Sequence, residues 1–113
     1  MRKLLAVLTI GLIAGAAGMA RPAAQIAATA SHAVTIDNFA FAPQALTVAA
    51  GTTVTWTNRD DEPHTVVSAD DPKLFKSTAL DTGDTFRFTF AKPGTYKYFC
   101  SIHPHMTGVI VVK

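Results

Sequence analysis

Tyr96-Lys97-Tyr98-Phe99-Cys100-Ser101-Ile102-His103-Pro104-His105-Met106 is the stretch that decides how this 113-residue chain folds. Tyr96, Tyr98 and Cys100 share one parity, so an extended chain turns all three to the same face. After the interruption at Pro104, Gly108 to Val112 forms an apolar run. The lack of alternation in Val109–Val112 predicts a strand buried on both faces. Upstream, Phe86, Phe88 and Phe90 alternate with Arg87 and Thr89, and Lys92-Pro93-Gly94 marks the turn between the two runs. Farther back, Thr52–Thr57 alternates Thr with Val54 and Trp56, a β-branched and aromatic pattern suited to a half-buried strand. Val34 and Ile36, Phe39 and Phe41, and Leu46 and Val48 supply shorter period-two pairs. The polar segment 69–78 has room for one helical turn at most, and no amphipathic helix is visible elsewhere in this part of the chain. About seven to eight short strands without helices predict an all-β chain folded as an antiparallel β-sandwich.

The turn between the last two strands carries the chemistry. Cys100, His103, His105 and Met106 put a thiol, two imidazoles and a thioether between two anchored strands. Side chains on such a loop can converge on one point. Thiolate and thioether favour Cu(I), and imidazole accepts both oxidation states of copper, so the donor set suits that metal. A further ligand has to come from elsewhere, and His64, after the chain-restricting Pro63, qualifies. Zinc is the rival; it would use Cys100, His103, His64 and His105 and leave Met106 idle. Each residue also has a plainer reading. Cys100 could be an inert buried thiol, Met106 core filler, and His64 a surface histidine. His105 competes with His103 for the ligand role. His32 reads as an unordered, solvated residue.

The Cys100-x-x-His103-Pro104-x-Met106 spacing resembles that of the cupredoxins, the small blue-copper proteins, and is most similar to their amicyanin branch. Val54-Thr55-Trp56-Thr57-Asn58-Arg59 followed by Pro63-His64 extends the resemblance over roughly residues 33–113. It implies a Greek-key β-sandwich. His64, Cys100 and His103 would be the strong ligands of one copper ion per chain, with Met106 the weak axial ligand and His105 solvent-facing. Where many members have Asn after the first histidine, this chain has Thr65. The Thr65 hydroxyl is expected to bond near Ser101 and its N–H to reach the Cys100 sulfur, while Asn58 would bridge the charged loop 58–63 to the site. The resemblance also implies that electrons pass at the exposed edge of His103. There Ile102, Pro104 and Pro43 would form an apolar patch for transient redox partner proteins, and Phe99 offers a second route outward. Lys73, Lys76, Lys92 and Lys97 either steer an acidic partner or are simply solvated.

The first 30 residues read differently. Arg2 and Lys3 precede an apolar run from Leu4 to Ala17 broken only by Thr9, and small residues follow up to Ala30. This is the order of a secretory signal peptide with cleavage near Ala30, leaving residues 31–113 as one domain and the periplasm as its location. The run is short for a membrane span, so no stable membrane insertion is expected after its removal. The whole chain carries +2, but beyond residue 30 there are 7 Lys/Arg against 8 Asp/Glu, the excess lying in Arg2, Lys3 and Arg21. Nothing in that balance points to nucleic acid. With Cys100 alone, no intrachain disulfide is possible, and a lone thiol in an oxidising compartment is a liability unless buried or bound.

A two-imidazole, one-thiolate site with a weak thioether leaves little room for substrate to coordinate. The expectation is a monomeric carrier of single electrons rather than an enzyme. The alternative is a copper chaperone or store using the same ligands.

Overall fold

The computed structural model describes residues 31–113. The expected export segment, residues 1–30, lies outside the described residues. Eight strands follow one another: β1 (Ser31–Asp37), β2 (Ala40–Ala42), β3 (Ala45–Val48), β4 (Thr52–Asn58), β5 (Val67–Ser68), β6 (Thr85–Phe90), β7 (Gly94–Phe99) and β8 (Thr107–Val112). They form two four-stranded sheets, ordered β2-β1-β4-β6 and β3-β8-β7-β5. The sheets are mixed rather than purely antiparallel. β1 runs parallel to β4, with Val34 beside Trp56, and β3 runs parallel to β8, with Leu46 beside Ile110. Parallel neighbours cannot be joined by a tight hairpin, so the chain crosses between the sheets. No helix forms among the described residues, and segment 69–78 holds only turns and isolated bridges.

The alternation in the sequence becomes the inside and outside of the sandwich. Val34 and Ile36 from β1, Val54 and Trp56 from β4, Phe90 from β6, Tyr98 from β7 and Ile110 and Val112 from β8 fill the space between the sheets. Trp56 is fully buried and packs against Phe75, Phe86, Phe90 and Tyr98, with ring centroids 5.4–6.3 Å apart. Truncating a core aromatic of this kind costs about 3–5 kcal/mol. β8 departs from expectation: Gly108, Ile110 and Val112 are buried, whereas Val109 and Val111 are half-buried. Its second face is the outer face of the sheet, where Val109 lines an open groove with Ala45, Lys97, Phe99 and Pro104. His32 lies within β1, paired with Val54, rather than in an unordered tail.

Gly108 is required by its neighbour. A Cβ there would fall 2.3 Å from Cζ of Tyr98, its partner across the β7–β8 ladder. The Tyr98 ring therefore lies over the glycine, and burial pushes its phenol up to about 12. This contact joins β7 to β8 beside the loop that carries the candidate ligands.

Candidate metal centre

Three segments meet at one end of the sandwich. The first is loop 58–64, which enters from β4. Asn58, fully buried, holds it: its side-chain NH2 donates to the carbonyls of Glu62 and Leu80, both at 2.8 Å, and its Oδ1 accepts from the Asp60 N–H at 2.8 Å. His64 follows Pro63 and forms an isolated bridge with Leu80, its N–H donating at 3.1 Å and its carbonyl accepting at 2.7 Å. Asn58 thus bridges the loop to the site, as expected from the sequence, through the residue that pairs with His64.

The second segment is the loop from Cys100 to Met106. It is closed on itself: the Cys100 N–H donates to the Met106 carbonyl at 3.1 Å, and the Met106 N–H to the His103 carbonyl at 2.9 Å. Cys100 and Met106 are buried and His103 is half-buried. The two segments are stitched together by Thr65. Its N–H donates to Cys100 Sγ at 3.3 Å, its Oγ1 accepts from the Ser101 N–H at 2.7 Å, and it lies 2.8 Å from Ser101 Oγ. Both contacts foreseen for Thr65 are present.

The third segment was not legible as part of the site. The β1–β2 hairpin closes through two residues, Asn38 and Phe39, with φ of 52° and 56°. Two positive φ values are the signature of a type I′ turn, normally filled by Asn-Gly. A left-handed backbone costs a non-glycine residue about 1–2 kcal/mol, and a bulky aromatic there is an outlier. Asp60 holds this turn: Oδ1 accepts from the Asn38 N–H and Oδ2 from the Phe39 N–H, both at 2.9 Å. The same Oδ2 lies 2.8 Å from His64 Nε2. The Phe39 N–H is the main influence holding the Asp60 carboxyl below its ordinary value, and His64 adds to it against the opposing effect of burial. Because a carboxylate only accepts, His64 carries its proton on Nε2 and turns the Nδ1 lone pair inward. Asn38 is the one cue in the sequence, since Asn tolerates left-handed geometry; Phe39 instead reads as the start of a strand alternation.

The three inward donors form a triangle. His64 Nδ1 and His103 Nδ1 are 3.2 Å apart, and each is 3.8 Å from Cys100 Sγ. His64, Cys100 and His103 are the metal-capable cluster among the described residues. Met106 stands at the end of the same loop, buried and tied by its backbone to both Cys100 and His103. His105 is exposed and outside the triangle, so the four-ligand zinc set is not assembled. Burial alone would raise the Cys100 thiol. The Thr65 N–H, the His64 side chain and the backbone and side chain of His103 outweigh it and draw the thiol from 9.0 to about 6. A thiol poised to ionise among two imidazole lone pairs fits a soft, thiolate-loving ion such as copper.

Comparison with known proteins follows the same line. The family model described as a cupredoxin-like domain matches residues 8–112. The chain belongs to the cupredoxin-like family. Amicyanin-alpha of Methylorubrum extorquens is 36% identical over 108 residues, which is 93% of this chain and 87% of that one. Plastocyanin of Scenedesmus fuscus is 36% identical over 84 residues, covering 65% of this chain and 86% of the relative. Among solved structures, a purple cupredoxin from Nitrosopumilus maritimus superposes with a TM-score of 0.69 at 39% identity, over 72% of this chain and 98% of that one. The amicyanin and plastocyanin relatives are single-copper electron carriers rather than enzymes. The sandwich of this chain is therefore the family's own.

Proposed function

We propose that this cupredoxin carries single electrons at a type 1 copper site formed by His64 Nδ1, His103 Nδ1, Cys100 Sγ and the Met106 thioether, and that it does so after export to the periplasm. The observation that carries the reading is the triangle of two Nδ1 atoms and one Sγ with edges of 3.2–3.8 Å. A copper ion held there would supply one-electron exchange between Cu(I) and Cu(II). The chain's own part is to keep the donors still. Asp60 fixes the His64 tautomer, Thr65 donates to the Cys100 sulfur, and the self-bonded loop 100–106 sets His103 and Met106 relative to Cys100. Donors that move little between oxidation states suit repeated electron exchange. Ile102 and Pro104, exposed on either side of His103 in the sequence, and the exposed Pro43 supply apolar surface for brief partner contacts. The export reading rests on the basic, apolar and small-residue order of residues 1–30.

A copper chaperone or store would use the same donors but give the ion up readily. The closed hydrogen bonding around Cys100 favours retention. The test is protein-film voltammetry of the copper-loaded domain together with a Cu(I) competition assay. A carrier gives a reversible one-electron wave and keeps its copper against a moderate chelator; rapid loss of copper with no reversible wave would favour the handling role.

A further inference from the structure

Phe39 is at once strained, exposed and in contact with both imidazoles. Its ring meets His64 edge-on at 5.4 Å and His103 edge-on at 5.0 Å, with interplanar angles of 88° and 87°. It is 48% exposed, yet His64 and Cys100 behind it are wholly buried. On its far side it lines a cavity of about 170 Å³, together with Phe41, Gln44, His105 and Met106. The ring thus lines that open cavity and touches both imidazoles of the donor triangle. An exposed aromatic held at positive φ contributes little to a core, and glycine would fill the turn without strain. Strain kept at such a position points to a task for the side chain.

We propose that Phe39 is the shield of the donor triangle, and that Asp60 locks the shield in place through the same carboxylate that orients His64. The ring closes the cavity side of the site to water and small solutes, and the two turn N–H groups bonded to Asp60 hold it over the imidazoles. One carboxylate thus ties the cover to the ligand beneath it. Phe39 and Asp60 are positioning residues: Phe39 covers both imidazoles, and Asp60 acts through the turn and through His64. The purpose given to the shield rests on the reading of the triangle as a copper centre, whereas its existence is testable in the metal-free protein, so the two can fail separately.

The test is the rate at which iodoacetamide alkylates Cys100 in folded, metal-free protein, measured beside the thermal midpoint. Phe39→Gly should raise that rate about tenfold, equivalent to about 1.4 kcal/mol of opening free energy, because the thiol no longer waits for the ring to move. Its midpoint should stay level or rise, since turn strain is relieved. Phe39→Tyr, which keeps a ring, should alkylate at the wild-type rate. Asp60→Asn should speed alkylation by a larger factor in the wild-type background than in the Phe39→Gly background. Equal rates in wild type and Phe39→Gly, or a Phe39→Tyr rate as fast as Phe39→Gly, would overturn the shield. Fully additive acceleration by Asp60→Asn would overturn the lock.

Discussion

Cys100 concentrates most of the chemistry in one side chain. It is wholly buried, but the Thr65 N–H and two imidazoles surround its sulfur, and the thiol falls from 9.0 to about 6. The sign of the linkage follows directly. The folded state ionises before the unfolded state does, so its advantage is full above pH 9, shrinks as pH falls, and is gone below about pH 6. Metal-free protein should therefore gain stability as the pH rises from 6 to 9. Urea unfolding at pH 6, 7.5 and 9 measures this, and Cys100→Ser should flatten the curve. A wild-type curve that is flat or falls over that range would mean that the sulfur is not held as an anion. Residues around the sulfur differ in how well the sequence announces them. Cys100, His103 and Met106 are close in sequence and of rare type, and Pro63 flags His64. Asp60 has no such flag, because its role depends on a turn more than 20 residues upstream meeting its carboxylate.

At the scale of the elements, the period-two pattern places the strands and their faces well. The alternation in Thr52–Asn58 and Thr85–Phe90 appears as buried and less buried sides, and Tyr98 and Cys100 point inward together. Pairing is a different matter. Nothing in the alternation of Val34 and Ile36 tells that β1 lies parallel to β4, because period two reports a strand's faces and not its neighbour or direction. β8 misleads for a related reason: on its outer face Val109 lines a groove and Val111 is also half-buried, and the sequence answers with valine on both sides. The β7–β8 ladder also carries the Tyr98–Gly108 contact, beside the ligand loop. Gly108→Ala would put a methyl 2.3 Å from the tyrosine ring, so the ring or the strand has to shift. We expect a loss of about 1–3 kcal/mol in urea unfolding, the range for overpacking a tight site. A loss under 0.5 kcal/mol would show that Tyr98 moves away at little cost.

For the whole molecule, a two-sheet sandwich this small has a modest core and no disulfide among its described residues, where Cys100 is free. The donor triangle joins the segment that leaves β4 to the β7–β8 loop, so a metal held there links chain leaving the first sheet to the second. Anything bound to the folded state alone stabilises it by mass action, by about 4 kcal/mol at a thousandfold excess over Kd. Copper loading should raise the thermal midpoint by more than about 10 °C, as scanning calorimetry of loaded and chelator-treated protein would record. An unchanged midpoint would mean that the donors do not act together in the folded state.

The central claim is that one thiolate and two imidazoles share a single copper ion. The most direct measurement is the visible absorption and electron paramagnetic resonance spectrum of the Cu(II)-loaded domain beside that of Cys100→Ser. The account predicts an intense thiolate-to-copper absorption band and a signal unlike that of a simple copper–imidazole complex, both lost in the serine variant. A colourless wild-type protein, or a spectrum that survives Cys100→Ser, would contradict it.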